Sequence, residues 1–122
     1  MVLTKSELEI MDVLWDAEDP LSRADLLERS EEKNWKDSSV HILLNGLLQK
    51  NAIESVGYVK RCKTYGRVFK PVLTREQYYA GLIFAFPHKP DMIGVFRELL
   101  SRPEMTPEAL ARIEALVSTA EK

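Results

Sequence analysis

Residues 35–51, WKDSSVHILLNGLLQKN, decide how the rest of the chain is organised. At about 100° per residue, Val40, Leu43, Leu44, Leu47 and Leu48 fall within one arc, while Ser38, His41, Ile42, Asn45, Gly46 and Gln49 share the opposite one. The stretch predicts a helix over 37–50 with a core face and a presenting face. Asp37 is its single acid and stands near the start, where a carboxylate suits the positive end of the helix dipole. Lys36 and Lys50 flank it, so this small, neutral, hydrogen-bonding face can lie beside a polyanion without repelling it. Asn51 can close the helix in the left-handed conformation usually given to glycine.

Upstream, Thr4 followed by Glu7 makes a capping box, and Leu8, Ile10, Met11, Leu14 and Trp15 supply a helical stripe over about 5–17. Asp19-Pro20 ends it. Ser22 and Asp25 cap a second helix that carries Ala24, Leu26 and Leu27 to about Lys33 and shows an acidic side of Glu28, Glu31 and Glu32. Downstream the period changes. Residues 53–59 and 67–73 hold β-branched and aromatic residues suited to strands, and KRCKTYG between them supplies three basic side chains and a turning Gly66. Three helices followed at once by a basic hairpin are the order of a winged helix-turn-helix domain, assigned to residues 1–73. Trp15 and Trp35 read as core anchors, and Tyr65 as a support for the hairpin loop.

The charge is segregated along the chain. Residues 1–35 carry four basic and ten acidic side chains, residues 36–73 seven and two, and residues 74–122 six and seven, within a net charge of -2. A pI near 5.7 would speak against nucleic acid if charge were spread evenly, but clustered cations set the local field. Length and a hydrophobic content of 45% suit one compact domain with a helical appendage. The lone Cys62 excludes an internal disulfide and favours a reducing cytoplasm. No apolar run approaches a membrane span, and the N-terminus lacks a signal-peptide pattern.

From Thr74 the pattern is helical again over 74–122. Tyr78, Tyr79, Leu82, Ile83 and Phe86 form one stripe, Met92, Val95, Phe96, Leu99 and Leu100 a second, and Leu110, Ile113, Leu116 and Val117 a third, which Thr106-Pro107-Glu108 caps. Three short helices cannot bury so many large side chains among themselves, so a second copy is the expected cover. Tyr79, Leu82, Ile83, Phe86, Val95, Phe96, Leu99, Leu110, Ile113 and Leu116 are the candidate dimer contacts.

Three motifs, LTKSELEIMDVLW at 3–15, NWKDSSVHILLNGLLQKNAI at 34–53 and GRVFKPVLTREQY at 66–78, give the chain a resemblance to a known family along nearly its whole length. It resembles the penicillinase-repressor family, the BlaI/MecI/CopY-type transcriptional regulators. The resemblance implies a dimeric winged-helix repressor on a palindromic operator, with the helix of residues 37–50 as reader. Family members commonly place Arg or Thr where this chain has His41, Ile42 and Gly46, and Gly where it has Asn51, so the base sequence read is its own. The cysteine-rich motif of the copper-responsive branch is missing, which disfavours copper sensing. The Asn-Phe bond cut in the β-lactam branch has Arg97-Glu98-Leu99 in its approximate place, which leaves control by cleavage unsupported. A sensor or protease that relieves repression is a further partner the resemblance admits.

Within that frame Asn45 and Gln49 are assigned to base edges, because an amide pairs bidentately with adenine, and Ser38 and Ser39 to phosphates. Ile42 is assigned to a thymine methyl, Gly46 to close backbone approach, and Lys36 and His41 to the same face. Lys60, Arg61, Lys63 and Arg67 of the hairpin are assigned to the phosphate backbone. The bland readings are a solvated helix face and a basic hairpin that guards a sheet edge. The alternative function is a winged-helix protein-interaction module, and a third is a redox or metal sensor acting through Cys62. His41 and His88 without cysteine partners make poor metal ligands, and no Gly-rich phosphate loop, GxSxG or convergent carboxylate set supports catalysis. The expected protein is not an enzyme and needs no cofactor.

Overall fold

The structure is a computed structural model; it describes residues 1–30, 36–61 and 64–120, without the side chains of residues 37, 60, 61, 64 and 65. The chain divides into two compact units, residues 1–86 and 87–122.

The first unit opens with α1 (Lys5–Asp16). The capping box is formed at both ends: Thr4 Oγ1 accepts from the Glu7 amide at 3.2 Å and Glu7 Oε1 accepts from the Thr4 amide at 2.9 Å. Ile10 and Met11, with Leu14 one helical turn on, are buried in the core. A second capping box, Ser22 with Asp25, starts α2 (Arg23–Arg29). After a 3₁₀ turn over Asp37–Ser39 comes α3 (Val40–Gln49). Its predicted core arc is the one buried, with Val40, Leu44 and Leu47 enclosed and Leu43 and Leu48 packed at the core's margin. Enclosing each of the three contributes about 1.5–3 kcal/mol.

Asn51 ends α3 in the left-handed region, at φ 60°. The Ala52 amide reaches back to Leu47 O at 2.9 Å and the Asn51 amide to Leu48 O at 3.1 Å, the paired bonds of a Schellman stop with asparagine in the glycine place. This turns the chain straight into β2 (Ile53–Arg61), which pairs antiparallel with β3 (Thr64–Pro71). A two-residue strand, β1 (Leu21–Ser22), adds to the free edge of β3, giving the order β1-β3-β2. A bulge between Ser55 and Gly57 breaks the alternation, and Gly57 at φ 149° takes the backbone there that a side chain would resist. Three helices with this small sheet and its projecting hairpin form a winged helix.

The unit continues past residue 73 through α4 (Arg75–Leu82), capped by Thr74 with Gln77. Tyr78 is buried, its hydroxyl accepting from the Leu3 amide and its ring 5.9 Å from Trp15. Trp15 Nε1 donates to Leu73 O at 2.9 Å. Arg75 lies over the Trp15 ring and pairs with Asp12 and Asp16. Those ties hold α4 on the back of α1, so the compact units divide after Phe86 rather than at residue 73. Tyr78 and Leu82, placed by periodicity on a tail stripe, belong to the first core or its margin.

The second unit contains α5 (Met92–Leu100), capped by Asp91, and α6 (Pro107–Ala120), capped by Thr106. Neither helix contains a buried residue. Among the described residues no helix is long and apolar enough to cross a membrane.

Candidate nucleic-acid interface

The core anchors of α3 leave its other side outward. His41, Ile42, Asn45 and Gln49 are exposed along it, with Ser38 and Lys36 exposed just before, and Ser39 half-buried at the helix start without a capping bond. The side chains of Lys36, Ser38, His41, Asn45 and Gln49 make no hydrogen bond or ion pair among the described residues, so their polar atoms are open to a ligand. Ile42 is 62% exposed in the middle of this row. At 1.5 Å per residue, ten residues of α3 span about 15 Å, and a helix about 10–12 Å wide matches a B-DNA major groove about 12 Å across.

Two residues of the same stretch serve the fold instead. Gly46 is half-buried, and a Cβ there would lie 2.9 Å from Glu7 Oε2. Its missing side chain lets α3 approach α1; the close approach expected toward a ligand is made to a neighbouring helix. Lys50 is also occupied. Its Nζ lies 2.5 Å from Glu7 Oε1 and 3.4 Å from Val2 O, closing the end of α3 onto the start of α1. Burial alone pushes the Glu7 carboxyl up. The hydrogen bond from Lys50, the Thr4 amide and the nearby positive charge outweigh it and hold the carboxyl below its ordinary value.

On the hairpin, Lys60 and Arg61 end β2, while Lys63 and Cys62 lie outside the described residues. Trp35 also lies outside them, and Tyr65 has only its backbone described. Arg67 is exposed on β3. Its Nε donates to Ser55 Oγ at 3.3 Å and its guanidinium stacks 5.2 Å from the Phe69 ring, which orients the group while its terminal nitrogens have no partner among the described residues. Tyr58, directly across the ladder from Arg67, is 68% exposed and was not marked by the sequence.

The structure also brings together residues that sequence reasoning kept apart. A groove of about 580 Å³ runs between α2, α3 and β3 and is lined by Arg23, His41, Asn45 and Arg67 over a floor of Leu27, Leu44 and Phe69. Arg23 escaped notice because it opens a helix whose polar side is acidic; its only signal was position, one residue after a cap. Among the described residues no group of three His, Cys, Asp or Glu side chains is arranged to hold a metal.

The candidate dimer contacts fall in both units. In the first, Tyr79 and Phe86 are exposed, Ile83 is half-buried and Leu82 packs at the core margin. In the second, Phe96, Leu99 and Leu116 are exposed, Val95 is half-buried, and Leu110 and Ile113 line a crevice beside Leu100 and Val117.

No curated protein sequence gives a significant match to the chain. A comparison with known families matches residues 3–119 to the penicillinase repressor family. The match covers the winged unit, the neutral outward face of α3 and almost all of the second unit. The chain therefore belongs to the penicillinase repressor family, whose members are transcriptional repressors.

Proposed function

We propose that the protein is a cytoplasmic, homodimeric repressor that binds a palindromic operator in a sequence-specific manner, with α3 in the major groove. The observation that carries this reading is the outward face of α3, where His41, Asn45 and Gln49 hold uncommitted hydrogen-bonding atoms around an exposed Ile42. No carboxylate occurs within α3 to repel phosphate. Asn45 and Gln49 read base edges, Ile42 meets a thymine methyl, and Lys36, Ser38 and Ser39 hold the backbone near the start of α3. Lys60, Arg61, Lys63 and Arg67 add phosphate contacts from the hairpin.

Pairing follows from the second unit. Ile93 and Leu116 are 68% and 69% exposed there, and Phe96, Leu99 and Val117 are exposed as well, so two short helices leave much of their apolar side-chain surface uncovered. A second copy covers it and sets two α3 helices about one duplex turn, or a multiple of it, apart. Repression follows from occupying a promoter, and relief from separating the pair.

The test is selection of bound duplexes from a random pool, followed by gel shifts. A two-fold consensus is expected for the wild type. Asn45→Ala should relax preference at a defined base pair in each half-site, and equal loss on consensus and random duplex would contradict base reading. A protein-interaction module of this charge would select no duplex at all.

A further inference from the structure

Arg23 makes no contact that its own helix needs. It is exposed in the first turn of α2, and its guanidinium makes no hydrogen bond or ion pair among the described residues. The nearest carboxylate in sequence, Asp25, is turned onto the Ser22 amide and hydroxyl at 2.9 Å each, so it caps the helix rather than neutralising the arginine. Arg23 lines the groove between α2, α3 and β3 together with Arg67, beside His41 and Asn45 of the reading face. Among the described residues no acidic side chain lines that groove.

We propose that this groove seats one phosphate of the duplex backbone, and that Arg23 is the side chain of α2 that holds it, with Arg67 on the opposite side. The proposal rests on the reading of α3 as the helix that enters the major groove. A helix about 10–12 Å across nearly fills a groove about 12 Å wide, so the phosphates of the groove wall pass within a few ångströms of its flanks. In a helix-turn-helix the helix before the reader crosses that backbone. A cation on the element beside α3, at the mouth of a cleft that no described carboxylate lines, meets the phosphate there. Arginine suits the task, since its planar fork donates two parallel bonds to a phosphate. Arg67 is already oriented by Ser55 and Phe69 and offers its terminal nitrogens from the other wall.

The experiment uses the full-length protein and the duplex it selects from a random pool. Neutral methylphosphonates replace single backbone phosphates, one linkage at a time, across a half-site. Wild type should lose affinity about 5- to 10-fold at one linkage flanking the bases read by α3, and Arg23→Ala should be indifferent to neutralisation at that linkage alone. Arg23→Ala should weaken selected and random duplexes equally, and the slope of log affinity against log salt should fall by about 0.9 per subunit. Arg23→Lys should restore the slope but not the full affinity, because it keeps the charge and loses the fork. Unchanged far-ultraviolet circular dichroism and melting separate these effects from misfolding. If Arg23→Ala keeps the wild-type slope and the wild-type sensitivity at every linkage, the phosphate seat is overturned while the reading of α3 stands. If the wild type selects no duplex, both are overturned.

Discussion

The two units of this chain use similar proportions of apolar residues to opposite ends. In residues 1–86 they converge: α1, α2, α3, the sheet and α4 enclose Ile10, Met11, Leu26, Val40, Leu47 and their neighbours, and the polar face of α3 is left outward as a by-product of that packing. In residues 87–122 no residue of α5 or α6 is buried, and Met92, Ile93, Phe96, Leu99, Leu116 and Val117 stay open. A unit that completes its own core leaves polar side chains outward. One that does not leaves apolar side chains uncovered.

Substitutions sharpen that contrast. The largest effect is expected in the closed core, where Leu47→Ala should cost about 3–5 kcal/mol in denaturant unfolding. Leu116→Ala, 69% exposed, should change the stability of the dissociated chain by less than about 0.5 kcal/mol. Equal costs would erase the distinction between the units.

Next in size, Phe96→Asp combined with Leu116→Asp should convert the pair to a monomer in sedimentation. It should weaken operator binding at least about 100-fold, because the second half-site is no longer held at high effective concentration. The first unit should keep its helical signal. At the reading face, Asn45→Ala and Gln49→Ala should each remove about 1–3 kcal/mol of discrimination between matched and mismatched duplexes. Their effect on melting should be small, since both side chains are exposed and unpaired among the described residues.

The smallest effect concerns the latch between α1 and α3. Glu7 is buried, and Lys50 is only partly so. Glu7→Gln should therefore destabilise the chain by about 1–2 kcal/mol at neutral pH. The folded carboxyl is held below its ordinary value near 4.5, so its contribution is complete above that value and is lost as pH falls through the lower, folded one. Melting curves of wild type and variant should accordingly converge in acid and separate toward neutrality.

Much of the fold was legible because single residues announced local geometry. Thr4 with Glu7, Thr74 with Gln77, and Thr106 before Pro107 each mark a helix start that the structure contains. Asn51 marks the left-handed stop. The leucines of α3 mark its buried side through their spacing, and the outward face follows as the complement. What was not legible depended on partners far away in sequence. β1 is two residues long and has no pattern of its own; it exists because the edge of β3 is there to pair with it. Tyr78 looked like part of a tail stripe, and only the position of Leu3 and Trp15 draws it into the first core. Gly46 and Lys50 looked available to a ligand until Glu7, some forty residues earlier, was seen to occupy the space beside one and the charge of the other. Arg23 was obscured in the opposite sense, by the acidic residues around it in sequence, although no carboxylate among the described residues lines its groove.

The central claim is that the outward face of α3 lies against base pairs. Its most direct test is a titration of the wild-type protein with its selected duplex and with a scrambled duplex of the same composition, repeated across a salt series. Both affinities should fall linearly with log salt, while the selected duplex stays tighter by about 1,000-fold or more throughout. Equal affinity for the two duplexes, or no binding to either at low salt, would contradict it.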